Sequence, residues 1–186
     1  TGHVRIYQNV SGTWTQIGDD IDGEAAGDRS GSSVSLSSDG SVIAIGASEN
    51  DDNGDGSGHV RIYQNVSGTW TQIGDDIDGE VAGDGSGSSV SLSSDGSIVA
   101  IGAISNSGNG NRSGQVRIFQ NNGGIWTQIG DVIDGEVAWD NSGWSVSLSA
   151  DGSVVAIGAP YNDENGIISG HVRIFQNVSG TWNQIG

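Results

Sequence analysis

The protein is a chain of 186 residues, which is long enough for one domain with a hydrophobic core of its own. Its 23 Asp and Glu residues outnumber 6 Lys and Arg residues, and the formal net charge of −17 argues against nucleic acid and anionic lipid as partners. There is no cysteine to form a disulfide, and no apolar run approaches the roughly 20 residues needed for insertion across a membrane.

A unit of 56 residues repeats along the chain without insertion. The segment 2–24 recurs letter for letter at 58–80, returns in altered form at 114–136, and its first part appears again at 170–186. A fixed repeat length predicts one supersecondary unit that stacks on copies of itself.

Two β-strands are predicted at the start of the chain. Residues 3–8 (HVRIYQ) alternate in polarity, and residues 13–17 (TWTQI) follow a Ser-Gly turn. A tryptophan recurs in the second of these strands and is expected to pack between neighbouring units. The residues are Trp14, Trp70, Trp126 and Trp182.

An arginine and a histidine recur in the first of these strands. In so acidic a chain, a fixed arginine is expected to form a structural ion pair with a carboxylate of a neighbouring unit, with Glu24 and its equivalents as first candidates. Histidine gives way to Gln115 in one copy, and glutamine cannot replace a metal-binding imidazole, so the histidines are interpreted as polar strand groups. The arginines are Arg5, Arg61, Arg117 and Arg173, and the histidines are His3, His59 and His171.

An acidic, glycine-rich connector follows the second strand of each unit. Its carboxylates are the kind of oxygen ligand that Ca²⁺ takes, so calcium is a candidate ligand. The favoured alternative is turn chemistry, in which Asp side chains accept hydrogen bonds from nearby N–H groups, because the spacing matches no defined calcium loop. The residues are Asp22, Glu24, Asp28, Asp78, Glu80, Asp84, Asp134, Glu136 and Asp140.

A β-hairpin is predicted next. Residues 33–37 (SVSLS) alternate between polar and apolar, residues 41–47 (SVIAIGA) are almost wholly apolar, and Asp39-Gly40 joins the two runs. Asp-Gly in this position strongly indicates a hairpin turn, because both residues tolerate a positive φ. The apolar strand is expected to be covered on both faces.

Two tryptophans distinguish the last full copy. Trp139 and Trp144 stand where the other copies have glycine and serine. One hypothesis is an aromatic platform for a sugar or a protein partner. The slightly favoured alternative is local packing against the next unit.

Four antiparallel strands in about 50 residues predict a β-propeller blade. The predicted fold is therefore an all-β, propeller-type array of four-stranded antiparallel blades, with about 3.5 blades in a single array. Its parts are strands three and four of a partial blade in 1–24 and blades at 25–80, 81–136 and 137–186. The main alternative is a β-solenoid, whose coils are usually shorter and need no Asp-Gly hairpin. Missing blades of the same parent protein, or another copy of the chain, are expected to complete a ring.

These motifs resemble the FG-GAP repeats of integrin-type β-propellers. Ser142-Gly143-Trp144-Ser145-Val146 lies where the family has Phe-Gly-x-Ser-Val, with Ser142 in place of Phe, and Gly158-Ala159-Pro160 matches its Gly-Ala-Pro. The sequence is also similar to repeat arrays in secreted surface proteins of marine bacteria. The resemblance implies a propeller at the cell surface or outside the cell. The family's D-x-D-x-D-G calcium loop is replaced here by Ser-Asp-Gly-Ser, so that metal site is not implied.

The expected function is a secreted, non-catalytic binding or adhesion module, or a structural part of a larger cell-surface repeat protein, with a glycan or surface protein as partner. No enzyme is expected, because the chain offers no nucleophile–base pair and its acids recur in every copy, whereas an active site is normally built once. The alternatives are a lectin-like propeller that binds carbohydrate, and a stiff spacer or filament repeat.

Overall fold

The computed structural model describes residues 2–186, and every regular element in that range is a β-strand. The strands form three antiparallel sheets of four or five strands and, at the start of the chain, two sheets of two strands each, which we together call the partial sheet. This confirms the predicted all-β, propeller-type array of antiparallel blades. None of the described residues lies in a helix long and apolar enough to cross a bilayer.

The partial sheet lies within residues 3–22. Its four short strands pair in twos, β1 with β4 and β2 with β3, and are β1 (His3–Val4), β2 (Tyr7–Val10), β3 (Thr13–Gln16) and β4 (Ile21–Asp22). The prediction of one unbroken strand over residues 3–8 is wrong for this copy. In the later copies, strand two pairs with strand three along its length and keeps it continuous. Within residues 2–186 no strand two lies beside residues 3–8.

The next three sheets share one arrangement, in which four strands lie side by side in chain order and each is antiparallel to its neighbour. The first contains β5 (Ser33–Leu36), β6 (Val42–Ala47), β7 (His59–Val66), β8 (Thr69–Gln72) and β9 (Ile77–Asp78). The second contains β10 (Ser86–Leu92), β11 (Ile98–Ala103), β12 (Gln115–Asn121), β13 (Trp126–Gln128) and β14 (Ile133–Asp134). The third contains β15 (Ser145–Leu148), β16 (Val154–Ala159), β17 (His171–Val178) and β18 (Thr181–Gln184).

The two-residue strands β4, β9 and β14 were not expected. Each pairs with the beginning of the third strand of its own copy, so that His59 lies opposite Asp78 and Gln115 opposite Asp134. The outer edge of a blade is therefore shared between the fourth strand and this short one. Two residues are too few to show the alternation from which strands are predicted.

The predicted Asp-Gly hairpin turn forms in each full copy. In the first, the Asp39 carboxylate accepts hydrogen bonds from the Ser41 N–H at 2.9 Å, the Ser37 hydroxyl at 2.7 Å and the Ser41 hydroxyl at 2.8 Å. These bonds, led by that of the Ser41 N–H, lower the pKa of Asp39 to about 2. Gly40 follows with a φ of 71°.

The hydrophobic core lies between successive sheets. Val60 and Ile62 of one sheet pack in one cluster with Val99, Ile101 and Phe119 of the next. Three of the four strand-four tryptophans join these clusters, as the sequence predicted, and their indole N–H groups donate to carbonyls of the preceding copy; Trp14 is exposed instead. The bonds are Trp70 to Ile17 at 2.9 Å, Trp126 to Ile73 at 2.8 Å and Trp182 to Ile129 at 2.8 Å.

Backbones of adjacent sheets also touch directly at one level. A Cβ atom added to Gly46 would lie 2.1 Å from the carbonyl oxygen of Gly87, and one added to Gly102 would lie 2.2 Å from that of Gly143. Both distances are shorter than any real contact of a Cβ atom. Glycine is therefore required on β6 and β11 for the sheets to pack this closely.

The outward faces of the array are open. Val172 and Ile174 of β17 are 66% and 40% exposed, whereas their equivalents Val60 and Ile62 are 0% and 2% exposed. At the other end, Trp14 is 67% exposed. An apolar position of the repeat is thus buried only where another sheet covers it.

Candidate functional site

Three junctions join the successive copies. We call the contact between residues 2–24 and 25–80 the first junction, that between 25–80 and 81–136 the second, and that between 81–136 and 137–186 the third. In each, the recurrent arginine donates from Nη2 to a backbone carbonyl of the preceding copy, and it lies over an aromatic ring of its own strand. The bonds are Arg61 to Asp22 at 2.7 Å, Arg117 to Asp78 at 2.5 Å and Arg173 to Asp134 at 2.5 Å.

The glutamates proposed as ion-pair partners lie near two of these arginines. Glu24 is 3.5 Å from Nη1 of Arg61, and Glu136 is 4.0 Å from Nη1 of Arg173. Arg5 instead pairs with Asp20 at 2.9 Å on an exposed surface. The main partner of the buried arginines is thus a carbonyl group, with the carboxylate as a second, longer contact.

The connector carboxylates occupy two kinds of position. Asp28, Asp84 and Asp140 are almost fully buried and accept hydrogen bonds from the backbone N–H groups of Ala25, Val81 and Val137 respectively. This is the geometry of the turn interpretation. Burial raises the pKa values of Asp78 and Asp134, and the nearby carboxylates of Asp76 and Glu80 add to the rise. Calcium binding by the connector stays a prediction.

At the first junction, acids gather around a buried histidine. We call Glu24, Asp52, His59 and Asp76 the histidine–carboxylate cluster. Nδ1 of His59 lies 3.8 Å from Glu24, 3.8 Å from Asp52 and 3.5 Å from Asp76. A smaller group of Glu136, Glu164 and His171 lies at the third junction.

This gathering was not foreseen, because the histidine position was dismissed as a metal ligand on the strength of Gln115. That argument was incomplete. At the second junction the two additional acids are also absent, replaced by Gly108 and Val132. Comparison of the copies position by position would have revealed that histidine and acids occur together.

The two copy-specific tryptophans line a groove between loops of the last two copies. We call it the aromatic groove. It has a volume of about 520 Å³, and its walls include Arg112, Asn141, Trp139, Trp144, Tyr161 and Asp163. Trp144 and Tyr161 meet edge to face with centroids 5.6 Å apart, and the guanidinium of Arg112 lies 5.9 Å above the Trp139 ring.

Both indoles remain accessible, with Trp139 55% and Trp144 49% exposed. Trp139 also has a φ of 72°, in the left-handed region where its equivalents Gly27 and Gly83 lie. A bulky residue in this conformation costs roughly 1–3 kcal/mol. Local packing thus leaves about half of each indole uncovered.

A family model for the FG-GAP repeat matches residues 21–63 and 126–175, half of the chain. The chain belongs to the FG-GAP repeat family. A comparison with curated proteins finds no sequence match.

Solved structures share the fold of these FG-GAP repeats. A candidate 6-phosphogluconolactonase from Bacteroides uniformis superposes with a TM-score of 0.64 at 16% identity, over 99% of this chain and 50% of that one. Sqt1 from Saccharomyces cerevisiae superposes with a TM-score of 0.54 at 14% identity, over 86% of this chain and 35% of that one. The periplasmic gluconolactonase PpgL from Pseudomonas aeruginosa superposes with a TM-score of 0.50 at 13% identity, over 98% of this chain and 62% of that one. The chain spans less than two thirds of each, and the likeness at these identities shows the fold alone.

Several residues that line the groove differ from those at the equivalent positions of the other FG-GAP copies. Trp139 and Trp144 were found from the sequence for this reason. Tyr161 and Arg112 were missed, although they too are copy-specific: Tyr161 stands where other copies have Glu49 and Ser105. These residues lie in loops far apart in the chain, and only the packing of the blades brings them together.

Proposed function

We propose that the chain is a non-catalytic binding module of a secreted or cell-surface protein and that it binds a saccharide in the aromatic groove. The supporting observation is that four neighbouring side chains, Trp139, Trp144, Tyr161 and Arg112, occur in single copies of an otherwise regular repeat. Residues that only maintain a repeat are expected to recur with it. These four do not, and they share one groove.

The chemistry of the groove suits a sugar. Exposed indole and phenol rings offer flat apolar faces on which the C–H face of a pyranose stacks, while polar groups at the edge bind its hydroxyls. Arg112, Asn141 and Asp163 provide both donors and acceptors there. A concave groove that combines aromatic rings with a few polar groups is typical of a small-ligand site.

A hydrolytic function is the main competing proposal, since two of the similar structures carry lactonase names. The groove contains one carboxylate, Asp163, and no histidine among its lining residues. Hydrolysis by a pair of carboxylates, or by a carboxylate and a histidine, would need a second such group beside it. This composition supports binding without turnover.

Larger assembly is part of the same proposal. The apolar faces left open at Trp14 and at Val172 and Ile174 match faces that are buried at the internal junctions. Further blades of the same protein, or another copy of the chain, are the partners that would cover them. A location outside the cell agrees with the acidic composition and with the family resemblance.

The test is a glycan array with the whole chain, followed by calorimetry on the best ligand. Trp139→Gly and Trp144→Ser place residues of the other copies at these positions, so both variants are expected to fold and to lose binding. Trp14→Ala removes an equally exposed indole outside the groove and should bind as the parent does. Absence of any glycan ligand, or binding that persists in both groove variants, would contradict the proposal and favour a spacer.

An assay of lactone hydrolysis examines the catalytic alternative. Gluconolactone and its 6-phosphate are incubated with the parent protein and with Trp144→Ser. We expect hydrolysis at the rate of the buffer alone for both. A faster rate with the parent would overturn the non-catalytic part of the proposal while leaving glycan binding to its own test.

A further inference from the structure

His59 is buried with one ring nitrogen unsatisfied. Its side chain is 1% exposed, and its Nδ1 atom has no hydrogen-bond partner among residues 2–186. Carboxylate oxygens of Glu24, Asp52 and Asp76 face this atom at 3.5–3.8 Å, beyond hydrogen-bonding distance. A buried polar atom without a partner is costly, and here it is directed into a cluster of acids.

Each carboxylate is held by a further contact that leaves one oxygen facing the histidine. Asp76 accepts a hydrogen bond from Gln72 on Oδ1 at 2.6 Å, and Oδ2 faces His59. Glu24 is 3.5 Å from Arg61 through Oε1, and its Oε2 faces His59. The facing Oδ2 of Asp52 also accepts a 3.3 Å bond from Asn50. Such outer contacts orient metal ligands in proteins.

The four side chains vary together along the array. At the second junction, Glu80 remains but the histidine is Gln115 and the two acids are Gly108 and Val132. There the amide Nε2 of Gln115 donates directly to the Glu80 carboxylate at 2.9 Å, so these two side chains satisfy each other without an ion. Histidine therefore occurs where additional acids face it, and glutamine where they do not.

The third junction is intermediate. Nδ1 of His171 lies 3.5 Å from Glu136 and 3.9 Å from Glu164, which occupies the position of Asp52. The position of Asp76 in this copy would fall after residue 186. The two histidine junctions thus contain a four-membered and a three-membered version of one arrangement.

We propose that Glu24, Asp52, His59 and Asp76 bind one divalent transition-metal ion, through Nδ1 of the histidine and one oxygen of each acid. The four ligand atoms lie within 4.8 Å of one another. The ligand atoms of a tetrahedral Zn²⁺ lie about 2.0–2.1 Å from the ion and ~3.3 Å from one another. Small movements of the exposed Glu24 and Asp52 side chains towards His59 would bring the four atoms to this spacing. Glu136, Glu164 and His171 bind the same ion more weakly.

The donor set selects the kind of ion. Imidazole is a ligand for Zn²⁺, Ni²⁺ and Cu²⁺, whereas Ca²⁺ and Mg²⁺ prefer oxygen ligands alone. Three carboxylates around one imidazole carry a net negative charge, and Arg61 is the guanidinium that contacts them within the described residues 2–186. A divalent cation would neutralise this charge. The site shares Glu24 with the connector of the calcium prediction, but its other three ligands are not among those connector carboxylates, and none of the four lines the aromatic groove.

The experiment is a calorimetric titration of the whole chain with Zn²⁺ alone, repeated with Ca²⁺. We expect one tight and one weaker Zn²⁺ equivalent, and no tight Ca²⁺ equivalent. His59→Gln should abolish the tight equivalent and keep the weaker one. The triple variant Asp52→Gly, His59→Gln, Asp76→Val reproduces the side chains of the second junction, which fold in this chain, and should lose the same equivalent. Glu49→Gln, an acid in the same loop, is the matched control and should titrate as the parent does.

A second readout reports on the ligand itself. With Co²⁺ as probe, the parent should develop visible absorption that His59→Gln lacks, and the nitrogen resonances of the His59 ring should shift on Zn²⁺ addition. The proposal is overturned if the parent binds no more tight Zn²⁺ than the triple variant, or if the His59 resonances do not move while Zn²⁺ is bound.

Discussion

The first and second junctions have the same framework and different chemistry. In both, a tryptophan and an arginine of one copy donate to carbonyl groups of the copy before it, with nearly equal distances. Around this framework, the first junction has the histidine–carboxylate cluster and the second has a single Gln115–Glu80 bond. The tryptophan and the arginine therefore hold successive copies together, while other side chains give each junction its chemistry. The two sets of residues can be changed separately.

The largest effect is expected from the shared tryptophan. Trp126→Ala removes an indole that packs between sheets and leaves the carbonyl of Ile73 without its donor. We expect the free energy of unfolding to fall by about 3 kcal/mol. Trp14→Ala, at the same repeat position but 67% exposed, should change it by at most ~0.5 kcal/mol. Urea melts of both variants measure the difference, and equal effects would contradict the packing role.

The shared arginine comes next. Arg117 is buried, burial lowers its pKa, and it donates to the Asp78 carbonyl. Arg117→Ala would leave that carbonyl without its donor, so we expect a loss of about 2 kcal/mol. Arg5→Ala breaks only an exposed pair with Asp20 and should cost less than ~1 kcal/mol. Chemical denaturation of the two variants tests the ranking, which would be wrong if Arg5→Ala cost as much.

A transfer of side chains should make the second junction resemble the first. Gly108→Asp, Gln115→His and Val132→Asp together give it the same four ligand types, because Glu80 is already present. We expect one additional Zn²⁺ equivalent and a larger rise of the melting temperature with Zn²⁺ than in the parent, since an ion that binds only the folded chain stabilises it. Calorimetry and thermal melts measure both. Unchanged stoichiometry would mean that the junctions differ in backbone as well as in side chains.

The smallest difference is expected at the hairpin turns, where the aspartate pKa should be the same in every copy. Hydrogen bonds to the carboxylates lower the pKa values of Asp39 and Asp151 to about 2 from an ordinary 3.8. The stabilisation from each carboxylate is therefore present above about pH 4 and lost as the pH falls towards 2. NMR titration should give the same low value for both residues, and Asp39→Asn should reduce the loss of stability in this range. Different values would show that the turns are affected by their junctions.

Much of the fold was predictable because the repeat presents it several times. Asp-Gly turns and alternating runs specify the hairpins locally, and the recurrence of Trp126 at each step indicates stacking. The break in the first copy of strand three was not predictable from a segment identical to 58–80, because it depends on a neighbouring strand rather than on local sequence. The short strand β9 was missed for the same reason, since two residues pair only when a partner lies beside them.

The candidate sites were predictable only in part. Trp139 and Trp144 stood out because each replaces a small residue, but the neighbouring Tyr161 could not be placed beside them without the packing of the blades. The histidine–carboxylate cluster was harder, because Glu24 comes from the connector of one copy and Asp76 from beyond the fourth strand of the next. Distance along the chain conceals such a group, and only the joint replacement of the histidine and two of the acids by Gln115, Gly108 and Val132 indicates it.

The glycine contacts of β6 with Gly87 and of β11 with Gly143 have a consequence for how such arrays can evolve. Where main chains meet with no side chain between them, a larger residue at the glycine would have to push the two sheets apart. A duplicated copy that kept these glycines is therefore expected to join the array at the same close spacing, while substitutions in the loops at its rim can create new ligand contacts.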